Sequence, residues 1–95
     1  MILAKVLGNV ITAARVDGIE GSKYMIVAPC SSFGVVLEGT LIVLDFIGSS
    51  VDEFVLVSQG SSTRQTEITK DKPIDAVIIG IVDIVEEDGK VVFRK

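Results

Sequence analysis

The sequence predicts a mainly β protein, a small barrel of five to six strands with one short helical insert. Apolar residues, many of them Val and Ile, alternate with other residues over short stretches, and this period of two is typical of strands. Segments rich in Gly, Ser and Asp separate these stretches, as turns do between neighbouring strands. With 95 residues, the chain is predicted to form one domain, residues 1–95.

The first two strands are predicted on either side of a turn. Alternation over Ile2–Ala14 indicates a strand, and Gly8 in its middle predicts a bend or a bulge. The turn follows at 16–21, where Asp and Gly cluster. Lys23–Ala28 is the second predicted strand, and Pro29 ends it because proline cannot donate a ladder hydrogen bond.

The middle of the chain predicts two further strands and a long polar loop. After a short extension at Val35–Leu37, the strands are Leu41–Ile47 and Phe54–Ser58. The loop is 59–72, and a loop of this length in a small domain is often functional. Its start, Gly60–Arg64, reads as a capped helix N-terminus and supplies the short helical insert.

The last part of the chain predicts its longest strand and a hairpin. Ile74–Val85 is apolar on both faces from Ala76 to Val82, which predicts a strand covered by the barrel interior and by a neighbouring subunit. Glu86–Gly89 is the predicted turn, with an Asp-Gly signal, and Lys90–Arg94 is the returning strand. Strands of this number and length favour an OB-like barrel, with a flat sandwich as the alternative.

The apolar content predicts a subunit interface. Apolar residues make up 48% of the chain, and the mean hydropathy is +0.58. A domain this small buries a limited fraction of its surface, so the surplus must face another molecule. A membrane is the second candidate, but the longest apolar run, Ala76–Val82, is too short for a spanning helix. The start of the chain lacks the pattern of a signal peptide, so we expect a cytosolic protein without a membrane partner.

Charge and residue usage exclude several functions. The net charge is −4, which disfavours nucleic acid as a partner. Because the chain has no His, it lacks Ser-His-Asp and Cys-His catalysis and the usual zinc sites. Cys30 is its single cysteine and is expected to be a small, semi-buried residue. Carboxylate-only chemistry stays open but would need paired acids in a cleft. We expect no catalytic residue, no metal and no cofactor, and Phe33, Phe46, Phe54 and Phe93 are expected in core or interface packing.

Two small-residue loops carry the candidate site. Gly48-Ser49-Ser50 is predicted to be a tight turn, because the acidic residues that follow would repel a phosphate. Gly60–Arg64 could hold an anion, but a capped turn with Arg64 in a structural or intersubunit ion pair is favoured. The candidate partners of Arg64 are Asp45, Asp75 and Asp83, with Asp75 or Asp83 preferred. The acidic groups 52–53 and 86–88 are predicted to be solvated turns.

The order and spacing of these motifs resemble a known family. The matching positions are Asp45, Gly48-Ser49-Ser50, Glu53-Phe54, Val55-Leu56-Val57, Gly60–Arg64, Pro73–Asp75, Gly80–Asp83 and the opening Ala4–Val10. Together they resemble the bacterial microcompartment vertex proteins, the family of carboxysome and ethanolamine-utilisation shell pentamers. Ser49 and Ser50 replace the Ala-Gly that is usual there, and a positive φ at the second position would have to be tolerated by Ser50.

The resemblance implies a non-enzymatic shell protein in the cytoplasm. Five copies would form a ring at each fivefold vertex of a polyhedral shell, with hexameric shell proteins as facet partners and encapsulated enzymes as further candidate partners. A heterologous interface closes into such a ring when its rotation divides the circle. The candidate residues for subunit contacts or the ring axis are Asp45, Gly48, Ser49, Ser50, Gly60, Ser61, Ser62, Arg64, Asp75 and Asp83.

Two alternative functions remain open from the residues alone. One is an OB-like module that binds a small ligand or nucleic acid, which the acidity and the few aromatic residues disfavour. The other is a scaffold that binds cargo enzymes.

Overall fold

The computed structural model describes residues 1–11, 23–59 and 76–95, and every regular element in them is a strand. The strands are β1 (Ile2–Val10), β2 (Lys23–Pro29), β3 (Leu41–Asp45), β4 (Phe54–Gln59), β5 (Ala76–Ile81), β6 (Ile84–Glu87) and β7 (Lys90–Arg94). The predicted helical insert and the predicted turn at 16–21 lie outside the described residues. Within those residues, no helix is long and apolar enough to cross a membrane.

Five strands close into a barrel in the order β1-β2-β3-β5-β4, and β4 pairs back with β1. All neighbouring pairs are antiparallel except β3 and β5, which are parallel. Barrel closure removes exposed sheet edges. The predicted OB-like barrel is therefore confirmed, and the flat sandwich is wrong.

The bulge predicted at Gly8 is present. Val6 pairs with Val27 and Gly8 pairs with Ile26, so Leu7 is an extra residue in β1. A bulge of this kind increases the local twist and bends the strand. In a small barrel this bend allows β1 to pair with β2 on one side and β4 on the other.

Alternating residues of the five strands fill the barrel. The core consists of Ala4, Val6, Met25, Val27, Val43, Val55, Val57, Ala76 and Ile78, each of which is buried. A second cluster pairs Leu44 with Val77, and Tyr24 and Phe46 pack against it. The first half of β5 is therefore covered on both faces by its own chain. Farther along, Ile79 and Ile81 are exposed in the single subunit.

The predicted strand Ile74–Val85 is wrong as a single element. It is divided into β5 and β6 by a break at Val82 and Asp83. The reason is the length of its partner, because β4 begins at Phe54 and the N–H of Val82 donates the last hydrogen bond to the Phe54 carbonyl (2.7 Å). Beyond that point the barrel offers no backbone to pair with, and the chain leaves it.

Other predicted boundaries also differ, and β2 and β4 each end one residue later than predicted. β1 ends at Val10, and β3 ends at Asp45 because that residue begins a turn. The hairpin turn is confined to Asp88 and Gly89, with Glu86 and Glu87 in β6. The expected extension at 35–37 forms only an isolated bridge between Val36 and Cys30.

The β6–β7 hairpin forms a separate two-stranded sheet beside the barrel. The Phe93 ring packs on the Phe54 ring. Gly34 also lies close to Phe93, since a Cβ at position 34 would be 2.8 Å from Phe93 Cδ1. The Ser32 hydroxyl donates to Glu87 Oε2 (2.7 Å). The hairpin is thus attached to the barrel through side chains from two separate segments.

Candidate functional site

Asp45 organises the loop that follows β3. Its carboxylate is buried and accepts three hydrogen bonds: Oδ1 from the Ile47 N–H (3.1 Å), and Oδ2 from the Ser49 N–H (2.8 Å) and the Ser49 hydroxyl (3.0 Å). Such side-chain turns are a characteristic use of Asp, and hydrogen bonds to an ionised acceptor are the stronger ones. Asp45 is therefore a structural residue of the loop in the single subunit.

The loop separates two serines that are adjacent in sequence. Ser49 is fully buried against Asp45, whereas Ser50 and Gly48 are exposed. Gly48 has φ +78°, a conformation that favours glycine. Ser50 is not among the described residues with positive φ, so the strain considered for it is absent. The surface that this loop presents to a partner is formed by Gly48 and Ser50, with Ser49 supporting it from beneath.

A second carboxylate closes the loop on its other side. The Ser50 N–H donates to Glu53 Oε1 (2.7 Å), and the Glu53 N–H donates to the Ser50 carbonyl (3.1 Å). Between them Asp52 adopts φ +74°, which Asp tolerates better than most residues. Backbone hydrogen bonds from the Asp52 N–H to the Val6 carbonyl and from the Val6 N–H to the Glu53 carbonyl attach this turn to β1.

An ion pair extends from this turn to the end of the chain. Glu53 Oε2 accepts a hydrogen bond from Lys95 Nζ at 2.9 Å. The Lys95 hydrogen bond is the largest cause that lowers the pKa of Glu53, and the same bond raises the pKa of Lys95. A neighbouring contact is weaker, because Lys5 Nζ is 3.8 Å from Asp52 Oδ1 and both side chains are well exposed.

The structure brings only part of the predicted site together. Asp45, Gly48, Ser49 and Ser50 form one loop. Asp83 is exposed at the break between β5 and β6, where its carbonyl accepts the Lys95 N–H (2.8 Å). The other predicted contact residues lie outside the described part of the chain, so the ion pair of Arg64 stays a prediction; they are Gly60, Ser61, Ser62, Arg64 and Asp75.

Exposed apolar side chains lie beside the loop and elsewhere on the subunit. Ile47 and Val51 flank it, and about half of each side chain remains accessible, 47% in both cases. Others lie on the barrel exterior and the hairpin: Leu7, Ile42, Ile79, Ile81, Ile84 and Val91. Contiguous exposed apolar surface is characteristic of interaction sites. This distribution accounts for the surplus of apolar residues noted in the sequence.

A second apolar segment was not identified from the sequence. Phe33, Val35, Val36 and Leu37 are all exposed, and Phe33 is 62% accessible, so it does not pack in the core of the single subunit and its expected interface packing stays a prediction. The Ser31 hydroxyl accepts hydrogen bonds from the N–H groups of Phe33 and Val35, each at 3.3 Å, and thereby shapes this turn. The sequence feature that could have identified this segment is the run 33–37, in which every residue except Gly34 is large and apolar.

The described residues offer little reactive chemistry. Cys30 is buried, and burial raises the pKa of its thiol in spite of the opposing charge of Lys5. A thiol in that environment is a poor nucleophile. No group of three or more Cys, Asp or Glu side chains that could hold a metal ion occurs within residues 1–11, 23–59 and 76–95. The candidate site is therefore a hydrogen-bonded loop with exposed apolar side chains beside it.

Comparison with known proteins identifies relatives over the whole chain. The family model described as "Ethanolamine utilisation protein EutN/carboxysome" matches residues 1–83. The chain is 33% identical over 95 residues to the carboxysome shell vertex protein CcmL of Synechococcus elongatus, covering 100% of this chain and 96% of that one. It is 37% identical over 95 residues to the microcompartment shell vertex protein EutN of Salmonella typhimurium, with the same coverage of both chains.

Solved structures agree with these matches. The structure of Gloeobacter violaceus CcmL superimposes with a TM-score of 0.90 at 32% identity, covering 100% of this chain and 98% of the other. The pentameric microcompartment shell protein GrpN of Rhodospirillum rubrum superimposes with a TM-score of 0.80 at 37% identity, covering 92% and 99%. On its sequence and on its barrel, the chain belongs to the EutN/CcmL family of microcompartment shell vertex proteins.

Proposed function

We propose that this protein is a structural shell protein of a bacterial microcompartment in the cytoplasm, and that five copies form a ring at each fivefold vertex. The observation that carries the proposal is the likeness to pentameric GrpN, at a TM-score of 0.80 and 37% identity. The relatives named as shell vertex proteins point to a structural role without catalysis. The whole chain, residues 1–95, would act as a single vertex-protein domain.

The surface of the single subunit supports assembly. Ile47 and Val51 beside the 48–50 loop, and Ile79 and Ile81 on β5, are apolar and exposed. Burial of such side chains stabilises an interface by roughly 25 cal/mol per Å² of apolar surface. A heterologous contact joins unlike faces of neighbouring subunits and can close a ring. A ring of five then supplies the curvature that a flat layer of hexagonal tiles lacks.

The predicted contact residues fit this role in part. Gly48 and Ser50 are exposed on a loop that Asp45 and Glu53 hold in one conformation. A preorganised loop loses little conformational entropy when a neighbour packs on it. We therefore place one subunit contact at this loop, with Asp45 and Ser49 supporting it. Hexameric facet proteins and encapsulated enzymes are the further partners of the proposed ring.

Native mass spectrometry of the full chain tests the proposal. The expected species has a mass of about 50 kDa, five copies of a 10.1 kDa chain. A monomer or dimer at micromolar concentration would contradict the ring. A hexamer would leave the family intact and remove the argument for a vertex. Co-expression with hexameric shell proteins should then convert open sheets or tubes into closed particles, and failure to close them would contradict the vertex role.

A further inference from the structure

Glu53 is a single side chain that joins two distant parts of the chain. Its Oε1 accepts the Ser50 N–H at 2.7 Å, and its Oε2 accepts Lys95 Nζ at 2.9 Å. Ser50 belongs to the 48–50 loop, and Lys95 directly follows β7 of the hairpin. Each carboxylate oxygen therefore holds a different element.

The backbone around Glu53 is fixed independently of its side chain. The Glu53 carbonyl accepts the Val6 N–H (2.9 Å), and the Phe54 carbonyl accepts the Val82 N–H (2.7 Å). The ring of Phe54 contacts the ring of Phe93 in β7. Glu53 and Phe54 thus form an anchored pair. The Glu53 side chain reaches the loop and Lys95, and the Phe54 side chain reaches Phe93 in β7.

The hairpin depends on these attachments. It is a two-stranded sheet separate from the barrel, and isolated two-stranded hairpins are marginally stable in water. Elements with few buried contacts open locally at a lower free energy than the whole protein. Undocking of the hairpin would therefore cost less free energy than global unfolding, and the contact of Lys95 with Glu53 favours the docked state.

We propose that Glu53 is a positioning residue that couples docking of the β6–β7 hairpin to the conformation of the 48–50 loop. When Lys95 binds Oε2, the carboxylate is held where Oε1 meets the Ser50 N–H; when the hairpin undocks, that acceptor is released. Coupling between two sites is reciprocal, so a contact that orders the loop also favours the docked hairpin. In the ring, a neighbouring subunit that packs on the 48–50 loop would thereby favour the docked hairpin, a consequence that rests on the proposed function.

Hydrogen exchange of the full-length protein, followed by mass spectrometry, tests the coupling. In Lys95→Met, we expect peptides from the hairpin (84–94) and from the loop (47–53) to exchange roughly two- to fivefold faster, the range that loss of a surface ion pair allows. Lys90→Met is the matched control, because Lys90 is on the same hairpin and makes no ion pair within the described part of the chain. It should leave the loop unchanged.

Faster exchange in the hairpin with an unchanged loop would overturn the proposal, as would an equal effect of Lys90→Met at the loop. Glu53→Gln supplies the second arm, because its amide oxygen can still accept the Ser50 N–H while the charge that binds Lys95 is lost. Its effects should match those of Lys95→Met, and the double variant should add nothing further. Additive effects would contradict a shared pathway through Glu53.

The two proposals fail separately. Native mass spectrometry of the same wild-type sample reports the ring, whereas exchange reports the coupling. A wild-type mass other than that of five copies, together with coupled exchange, would reject the ring and retain the role of Glu53. A mass of five copies, together with uncoupled exchange, would retain the ring and reject the role of Glu53.

Discussion

The Phe93 ring packs on the Phe54 ring with centroids 4.3 Å apart and planes inclined by 44°. Phe54 is buried at the start of β4, and Phe93 lies in β7, so this contact joins the hairpin to the barrel. Aromatic pairs in tilted arrangements are stabilising beyond the area they bury.

Phe93→Ala should destabilise the protein by about 1–3 kcal/mol, less than a fully buried Phe, because Phe93 is only partly buried. The expected readout is a lower midpoint in urea unfolding at one fixed protein concentration. Phe33→Ala is the matched control, since its side chain is mostly exposed. An equal loss of subunit stability in the two variants, measured after the assembly has been dissociated, would contradict the packing role of Phe93.

Gly34→Ala should also be destabilising, for two separable reasons. The new Cβ would lie 2.8 Å from Phe93 Cδ1, and residue 34 has φ +83°, which is unfavourable for alanine. In the Phe93→Ala background the steric part disappears and the backbone part remains. A double-mutant cycle of unfolding free energies should therefore show an interaction of about 0.5 kcal/mol or more. Strict additivity would mean that the ring simply moves aside.

Asp45→Asn should destabilise the loop by about 1–3 kcal/mol, because an amide nitrogen would face donors that now share the buried carboxylate. Asp52→Asn is the matched control: Asp52 is exposed, and Asn also tolerates positive φ. We expect the control to change stability by less than about 0.5 kcal/mol. Denaturant unfolding at equal concentrations measures both, and indistinguishable values would refute the role assigned to Asp45.

The Glu53–Lys95 pair predicts a stability difference that depends on pH. Because the folded-state pKa of Glu53 is lowered, its contribution is present above its unfolded pKa and is lost as the pH falls through the folded value. Because the folded-state pKa of Lys95 is raised, its contribution is complete below its unfolded pKa and is lost as the pH rises through the folded value. The stability difference between wild type and Lys95→Met should therefore be greatest between about pH 5 and pH 10.

That difference should decrease towards both acid and alkaline pH, and also at high salt, because the Lys95 side chain is exposed to solvent. Lys90→Met is again the control, and its stability difference from wild type should not vary with pH in this way. A difference that stays constant from acid to alkaline pH would show that Lys95 acts through packing of its aliphatic stem instead of through its charge.

Ile47→Ser should weaken assembly more than it destabilises the subunit, because Ile47 is half exposed beside the 48–50 loop. Dilution followed by native mass spectrometry should show dissociation at a higher concentration than for wild type. Unfolding of the dissociated subunit should change by less than about 0.5 kcal/mol. An unchanged dissociation midpoint would remove this loop from the subunit contact.

Much of the barrel could be predicted from the sequence because a strand has a recognisable pattern in its local sequence. The alternation in β1 is typical of a strand, and Gly8 marks its bulge. No such pattern marks the boundary between β5 and β6. The apolar run continues through Val82, and the strand ends there because β4, which lies far away in sequence, begins at Phe54.

The candidate site shows the same division. The residues Gly48, Ser49 and Ser50 already indicated a turn from their types, because small residues suit turns locally, whereas Asp45 was placed in the predicted strand Leu41–Ile47. The sequence did not indicate which of the two serines is buried. Ser49 is buried because its N–H donates to the buried Asp45 carboxylate, a contact that forms only when the loop has folded. The importance of Glu53 was also missed, because its partner Lys95 is a nonlocal contact and a solvated acidic turn has the same sequence pattern.

The β class, the surplus of apolar surface and the family could be read from the amino-acid sequence, because composition, periodicity and motif order indicate them. Which apolar side chains remain exposed, where the last barrel strand ends and how the hairpin is attached became evident from the folded chain. These properties depend on residues brought together from distant positions. The Glu53–Lys95 and Phe54–Phe93 contacts exist only once the barrel has closed and the chain has returned to it.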